Sequence, residues 1–530
     1  MADADHGAAA AEPGSDARSN RELIGAAAGG LRWIAYSRAA IEILLLAGMV
    51  VLARLVPPAA FGAFAIVVIV HELAVSLPME GVGSAIVQRR SINRAHLEGG
   101  MLMTLAAGLP MMALTLAAAA LVVRPLFGGE VATLIAVTSP YFLIGAVYAL
   151  PMTVLRRNLD FRGLSIVELS LNASRVAISL ALAIAGLDAT ALVLGSLGGI
   201  LVALALALRF APVPGPRWRP REMRELLPYG GPAALATFSW AGFRNGDYAI
   251  VGATLGAAQA GIYWRAYQLA VEYQRKISVA MIQVAFPVLA RTRGREELLA
   301  LRRRMVHLVT AAVFPLLACI ALLAPTVIPW LFGPAWEPAV VPTQILTVGG
   351  IAALMTDACG SALMALGRAR ALLGYGVAHF LAYATAVVLV APYGLVAVAG
   401  AAAVVHAFFM WVAYAFLLRG VAASPLRTLG RDLLPAGASC AGLIALGVPA
   451  SLAAQGAGLP VAAHIAAVLA CAAAGYLAVL RAGFPAVARD LGAGVARVLP
   501  VARARAALAG AVRSSLRVIA ARSPASVRKT

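Results

Sequence analysis

Lysine is nearly absent from this chain: of 43 basic residues in 530, only Lys276 and Lys529 are not arginine. Charge of either sign is scarce, at 12% of residues. A soluble globular domain carries about 25%, so that class is excluded. Cysteine is equally sparse. Cys319, Cys359, Cys440 and Cys471 all lie in apolar stretches without metal-ligand spacing, which argues against a disulfide framework or a cysteine metal site. No GxxxxGK(S/T) sequence occurs, so ATP hydrolysis by this chain is not expected. Large polar insertions between the apolar stretches are missing too. The arginine-poor connections contain no paired carboxylates and no Ser/His/Asp set, which argues against an enzyme working from an external loop.

What the chain has is apolar sequence, 62% hydrophobic with a mean hydropathy of +0.87. A membrane span needs about 20 such residues. Segments 33–53, 62–87, 99–123, 131–151, 164–185, 190–208, 228–254, 262–290, 305–331, 340–365, 371–391, 394–418, 433–454 and 459–480 meet that length. The expected fold class is an all-α polytopic membrane protein of about 14 transmembrane helices.

Arginine falls on alternate connections between these segments. It is abundant in 88–98 (Arg89, Arg90, Arg94), 152–163 (Arg156, Arg157, Arg162) and 209–227 (Arg209, Arg217, Arg219, Arg221, Arg224). It recurs in 291–304, 367–370 (Arg368, Arg370) and 419–432 (Arg419, Arg427, Arg431). The connections between carry only Arg54 and Arg124. Positive charge stays on the cytoplasmic side of a bilayer, so both termini are expected there. A net charge of +20 could mark a nucleic-acid binder, but these residues flank membrane spans, and no nucleic-acid partner is expected. Residues 1–32 lack the features of a signal peptide and read as a disordered cytoplasmic lead. The basic tail 481–530 should be cytoplasmic. Within it Val501, Leu508, Val512, Leu516 and Ile519 recur at helical spacing among arginines, as in a helix lying on anionic membrane lipids. Truncation after about residue 485 is expected to leave insertion and transport intact.

The chain repeats itself. LARLVPPAAFGAF (52–64) matches VGATLGAAQAGIY (251–263), aligning Gly62 with Gly261. Leu126-Phe127-Gly128 matches Leu331-Phe332-Gly333, and Met152 before Arg156 matches Met364 before Arg368. Six spans per repeat put the two units in the same orientation, the plan of transporters that rock two lobes about a midplane site. The expected organisation is an N-lobe at 33–208, a cytoplasmic linker at 209–227, a C-lobe at 228–418, two added spans within 419–480, and the tail.

Ionisable groups inside the membrane cost about 2.5–3.5 kcal/mol each and are rarely idle. Arg38 and Glu42 lie in the first span, His71, Glu72 and Glu80 in the second, and Glu168 and Arg175 in the fifth. Arg244 and Asp247 interrupt the seventh; Arg265, Glu272, Arg275 and Lys276 the eighth; Asp357 the tenth. Arg38–Glu42 and Glu168–Arg175 can be read as structural ion pairs. The eighth span has more cations than acids, and arginine suits phosphate oxygens. A water-filled cationic cavity is therefore expected, with Arg38, Arg244, Arg265, Arg275 and Lys276 as candidate anion contacts. His307, His379 and His406 each read as a packed, hydrogen-bonded histidine.

The chain resembles the polysaccharide-transport (Wzx-type) flippases of the multidrug/oligosaccharidyl-lipid/polysaccharide (MOP) exporter superfamily over about residues 20–420. The resemblance is carried by LARLVPPAAFG (52–62), GVGSAIVQRR (81–90), LRRNLDFRGLSIVE (155–168) and RNGDYAIVGATLGAAQAGIYWRAYQLA (244–270). AFPVLAR (285–291), LFGPAWEPAV (331–340) and SALMALGRAR (361–370) extend it. It implies two six-helix lobes of the MATE-like fold with two further C-terminal helices. It also implies translocation of undecaprenyl-diphosphate-linked oligosaccharide by alternating access, with a polysaccharide polymerase or co-polymerase as candidate protein partner. No cofactor is expected. A coupling ion, H+ or Na+, would act through Asp247, Glu272 or Asp357. The alternatives are a drug/cation antiporter of the same superfamily, expected to have twelve spans and a more acidic cavity, and a membrane-embedded polysaccharide polymerase.

Overall fold

In the computed structural model the described residues, 13–272, 274–278, 294–365, 368–419 and 424–498, are overwhelmingly helical. Eleven helices among them are long and apolar enough to cross a membrane, and each coincides with one of the expected spans. The first and seventh expected spans and the described part of the eighth fall on helical segments outside that set, the ones that carry Arg38 and Glu42, Arg244 and Asp247, and Arg265 and Glu272. The chain is a multi-pass membrane protein. The tail pattern at 501–519 and the motif at 285–291 lie outside the described residues. The described residues form two compact units.

The first unit comprises Met1–Arg265, Ile328–Ala339 and Ala384–Val398. Its helices are α1 (Pro13–Leu55), α2 (Pro58–Pro78), α3 (Ser84–Gln88), α4 (Arg94–Ala118), α5 (Arg124–Phe127), α6 (Gly129–Thr138), α7 (Tyr141–Arg157), α8 (Phe161–Ile184), α9 (Asp188–Phe210), α10 (Pro220–Leu255) and α11 (Ala257–Tyr267). Local chemistry places the boundaries. Pro57 and Pro58 end α1 and open α2 with proline at its first position. Asn93 caps α4 by accepting from the His96 amide at 3.0 Å, and Asp160 caps α8 by accepting from Gly163 at 2.9 Å. Tyr148, Met152 and Leu155 of α7 pack with Val167 of α8 and with Ile200, Ala203 and Ala207 of α9. Small residues bring α8 and α9 together, since a Cβ at Gly195 would stand 2.0 Å from the Ser179 hydroxyl.

The connection types differ in backbone. Each positive-φ glycine among the described residues sits in an arginine-poor connection. Gly128 (φ +89°) and Gly333 (φ +102°), paired by the internal repeat, both close a helix in the left-handed region that only glycine enters without strain. The arginine-rich ends are instead strapped by side chains. The Arg157 guanidinium donates to the carbonyls of Ile86 (2.6 Å), Val87 (3.2 Å), Arg89 (2.7 Å) and Arg90 (3.1 Å), capping α3. Glu98 binds Arg219 at 2.6 Å and Arg94 at 3.1 Å. Glu225 takes hydrogen bonds from Arg89 at 2.6 Å and His96 at 3.1 Å. His96 and then Arg89 hold the Glu225 carboxyl below the ordinary carboxylate range. The connection between α9 and α10 is thus tied to the start of α4.

The second unit comprises Ala266–Val327, Val340–Tyr383 and Ala399–Thr530. It takes in most of α12 (Arg295–Phe332), all of α13 (Val340–Ala365), most of α14 (Ala369–Val390) and α15 (Leu395–Val412), and all of α16 (Pro425–Gly456), α17 (Val461–Gly483) and α18 (Pro485–Val498). Val313, Phe314 and Leu317 of α12 pack with Leu354, Met355 and Cys359 of α13 and with Tyr414. The backbones of α16 and α17 cross where Gly442 faces Gly475. This pair is anchored on α12. Arg302 (2% exposed) donates to Asp432 (0% exposed) at 2.7 Å and to the Tyr414 hydroxyl at 2.7 Å. The Tyr414 hydroxyl donates to Asp432 at 2.9 Å, and Tyr476 to the Ala311 carbonyl at 2.7 Å. The first part of the tail is a docked helix. Val487 of α18 packs against Tyr476 and Leu480, and Arg304 grips Asp490 through two hydrogen bonds of 2.7 and 2.8 Å. Arg304 accordingly holds the Asp490 carboxyl below its usual range.

Candidate functional site

In the second unit, the segment after α11 carries a group of polar side chains. α11 runs into a π-helical turn, Gln268–Glu272, a local widening that recurs at functional positions. Helix resumes at 274–278. Arg275 reaches back three residues to form an ion pair with Glu272, each side chain about a quarter exposed. One face further round, Gln274 (1% exposed) donates its amide to the Ser278 hydroxyl at 2.6 Å. Asp357 of α13 lies beside Ser278 and within reach of the Arg275 charge. The Gln274 carbonyl oxygen is buried and has no hydrogen-bond partner among the described residues. A buried amide oxygen without a donor costs about 1–3 kcal/mol. This is a cluster of two carboxylates, a hydroxyl, an amide and a guanidinium within a short stretch of the fold.

The structure therefore brings together Glu272, Arg275 and Asp357. Lys276 is exposed on the neighbouring face. Gln274 and Ser278 escaped the sequence reading because it looked for ionisable groups. Their spacing of four residues on one helix face was the available signal.

In the first unit the charges pair across helices. Arg38 of α1 meets Glu168 of α8 at 3.6 Å, with 63% and 29% of the two side chains exposed. Ser37 donates to Ser165 at 3.1 Å beside them. The α8 face continues through Asn172 and Arg175. His71 of α2 stacks on Tyr141 of α7 at 4.2 Å and lies 3.3 Å from the Thr138 hydroxyl. The side chains of Arg244 and Asp247 lie outside the described residues.

Arg265 occupies a different setting, near the arginine-poor end of the first unit. It is 1% exposed. Its guanidinium carbon lies 4.7 Å from the ring centre of Phe61, 5.0 Å from Trp336, 5.4 Å from Phe332 and 5.6 Å from Trp264. The Trp336 indole N–H donates to the Ala53 carbonyl at 2.8 Å. Arg54 donates to the Leu331 carbonyl at 2.9 Å and to that of Trp330, capping the end of α12. That capping accounts for an arginine on the otherwise arginine-poor side.

Of the lone histidines, His307 and His406 are hydrogen-bonded as expected, whereas the buried Nε2 of His379 has no hydrogen-bond partner among the described residues. His379 and His406 meet at 5.0 Å between ring centres; His406 donates to the Ala402 carbonyl at 2.7 Å, and His307 to that of Arg431 at 3.0 Å. Among the described residues no three His, Cys, Asp or Glu side chains gather as a metal centre requires.

Comparison with known proteins agrees with this architecture. A family model described as a polysaccharide biosynthesis protein matches residues 51–341. The chain is similar to the teichuronic acid biosynthesis protein TuaB of Bacillus subtilis (strain 168), 24% identical over 320 residues, which is 58% of this chain and 66% of that one. It thus spans just under two thirds of that relative's length. It is also similar to the lipopolysaccharide biosynthesis protein WzxC of Escherichia coli (strain K12), 26% identical over 350 residues, 64% of this chain and 70% of that one. Among solved structures it shares the fold of the lipid II flippase MurJ in an inward closed conformation. The TM-score is 0.67 at 13% identity, over 85% of this chain and 98% of the other.

Proposed function

The chain belongs to the polysaccharide biosynthesis protein family, and from that premise we propose that it is a flippase rather than an enzyme. Its substrate on this reading is an undecaprenyl-diphosphate-linked oligosaccharide repeat unit, carried across the bacterial inner membrane for O-antigen, capsule or exopolysaccharide assembly. The arginine-rich ends and both termini face the cytoplasm. The observation that carries the reading is the set of charged side chains held inside spans of a family member, above all Glu272, Arg275 and Asp357.

A diphosphate bearing several sugars cannot cross about 30 Å of hydrocarbon unaided. Guanidinium groups bind its phosphate oxygens in place of water, while the isoprenoid chain remains in lipid. Alternating access then moves the head group from one face to the other. Arg38, Arg244, Arg265, Arg275 and Lys276 are the proposed anion contacts. Asp357, with Ser278 and Gln274 beside it, is the proposed seat of a coupling H+ or Na+, with Asp247 and Glu272 as the other carboxylates available.

The test is reconstitution. Proteoliposomes containing the protein and a fluorescent undecaprenyl-diphosphate oligosaccharide should expose the sugar to an external glycosidase on both leaflets, and protein-free vesicles on one. Equal accessibility in the two preparations would refute the flippase reading. Efflux of a cationic dye without glycan movement would favour the antiporter.

A further inference from the structure

The cage around Arg265 is built on a contact between the two internal repeats. Pro58 and Gly62 of α2 correspond by repeat offset to Ala257 and Gly261 of α11, and these four residues meet one another. A Cβ on Gly62 would stand 1.7 Å from the Ala257 carbonyl oxygen, and one on Gly261 2.0 Å from that of Pro58. The contact is reciprocal, as a twofold relation between the repeats requires. It exists only because both positions are glycine. One turn further along α11, the same approach presses Phe61 onto Arg265, while Phe332 and Trp336 close the remaining sides.

Arg265 lies eight residues into α11, about 12 Å from its start, where a buried guanidinium is expensive. Aromatic faces attract it electrostatically. Phosphate oxygens offer two parallel hydrogen bonds. Anything that parts α2 from α11 withdraws Phe61 and uncovers the cation.

We propose that the Phe61–Trp264–Phe332–Trp336 cage is a latch on the arginine-poor end of the protein. Arg265 is the masked anion contact beneath it, transferred from the rings to the diphosphate head group of a lipid when α2 and α11 separate. This rests on the flippase reading and adds to it a regulated contact on the exit side. The glycine crossing sets the latch, and the arriving diphosphate competes with the rings for the guanidinium.

The test is arginine-specific labelling with phenylglyoxal in phosphatidylcholine nanodiscs, read peptide by peptide with exposed Arg90 as reference. Arg265 of the intact protein should react about tenfold more slowly than Arg90, as a caged cation would. Gly62→Ala and, independently, Trp336→Ala should bring the two rates within about twofold by opening the cage. Inorganic pyrophosphate should then slow Arg265 labelling in both variants about tenfold, while phosphatidylglycerol in the disc should not. The latch is refuted if Arg265 reacts like Arg90 in the intact protein or remains protected in both variants. Absence of pyrophosphate protection, or equal protection by phosphatidylglycerol, overturns the diphosphate assignment. Labelling requires no transport, so these failures leave the reconstitution result standing, and a failed reconstitution leaves the latch standing.

Discussion

A guanidinium withdrawn from water needs compensation, and three arginines of this chain find it differently. Arg265 has aromatic faces, Arg275 a carboxylate three residues back, and Arg302 a carboxylate with a phenol. The Arg275–Glu272 pair invites a bland account in which the two simply neutralise each other. The neutral double variant Glu272→Gln/Arg275→Gln separates that account from a working cation. Arg275→Ala should lower glycan export at least about tenfold at unchanged membrane abundance, since it strands Glu272 and removes the positive charge. The double variant should stay equally low. Recovery of export in the double variant would show that the pair is only structural.

The two added C-terminal helices and α18 are integral to the second unit. Asp432 is completely buried, and the Arg302–Asp432 bridge joins residues 130 apart in sequence. Removing one partner of such a bridge leaves an uncompensated charge worth about 3–5 kcal/mol, whereas replacing both with apolar groups is often neutral. Arg302→Met should therefore lower the unfolding midpoint in detergent, and Arg302→Met/Asp432→Leu should restore most of it. A single variant as stable as the parent would mean that the bridge contributes nothing. The docked α18 also refines the expected tolerance to truncation at residue 485. Ending the chain after Val498 should preserve the midpoint, while ending it after Gly483 should lower it by removing Val487, Leu491 and the Asp490–Arg304 contact. Equal midpoints for the two truncations would contradict this.

For the whole molecule, arginine alternation and the glycine turns point to one orientation. Reporter fusions after Gly128, Gly256 and Gly333 should report the periplasm, and those after Arg94, Arg221 and Arg303 the cytoplasm. A cytoplasmic signal at Gly333 would break the scheme at the position where the repeat, the positive φ and the low arginine content coincide. The shared fold with MurJ over 85% of the chain makes a rearranged order of spans the less economical outcome.

Membrane class and helical fold were legible in the sequence, because transfer free energies belong to single residues and add along a segment. Gly62 and Gly261, aligned with each other by the sequence pattern, meet at a backbone approach that admits no larger residue. The partners of the charges were not legible. Arg38 reads as a helix-neighbour of Glu42, yet it also reaches Glu168 on α8. The rings around Arg265 come from positions 61, 264, 332 and 336. The Gln274–Ser278–Asp357 group joins two helices through uncharged links that hydropathy does not register. Such contacts depend on the packing of helices distant in sequence. Only tertiary structure decides them, since periodicity specifies which face of a helix is polar and says nothing of what that face will meet.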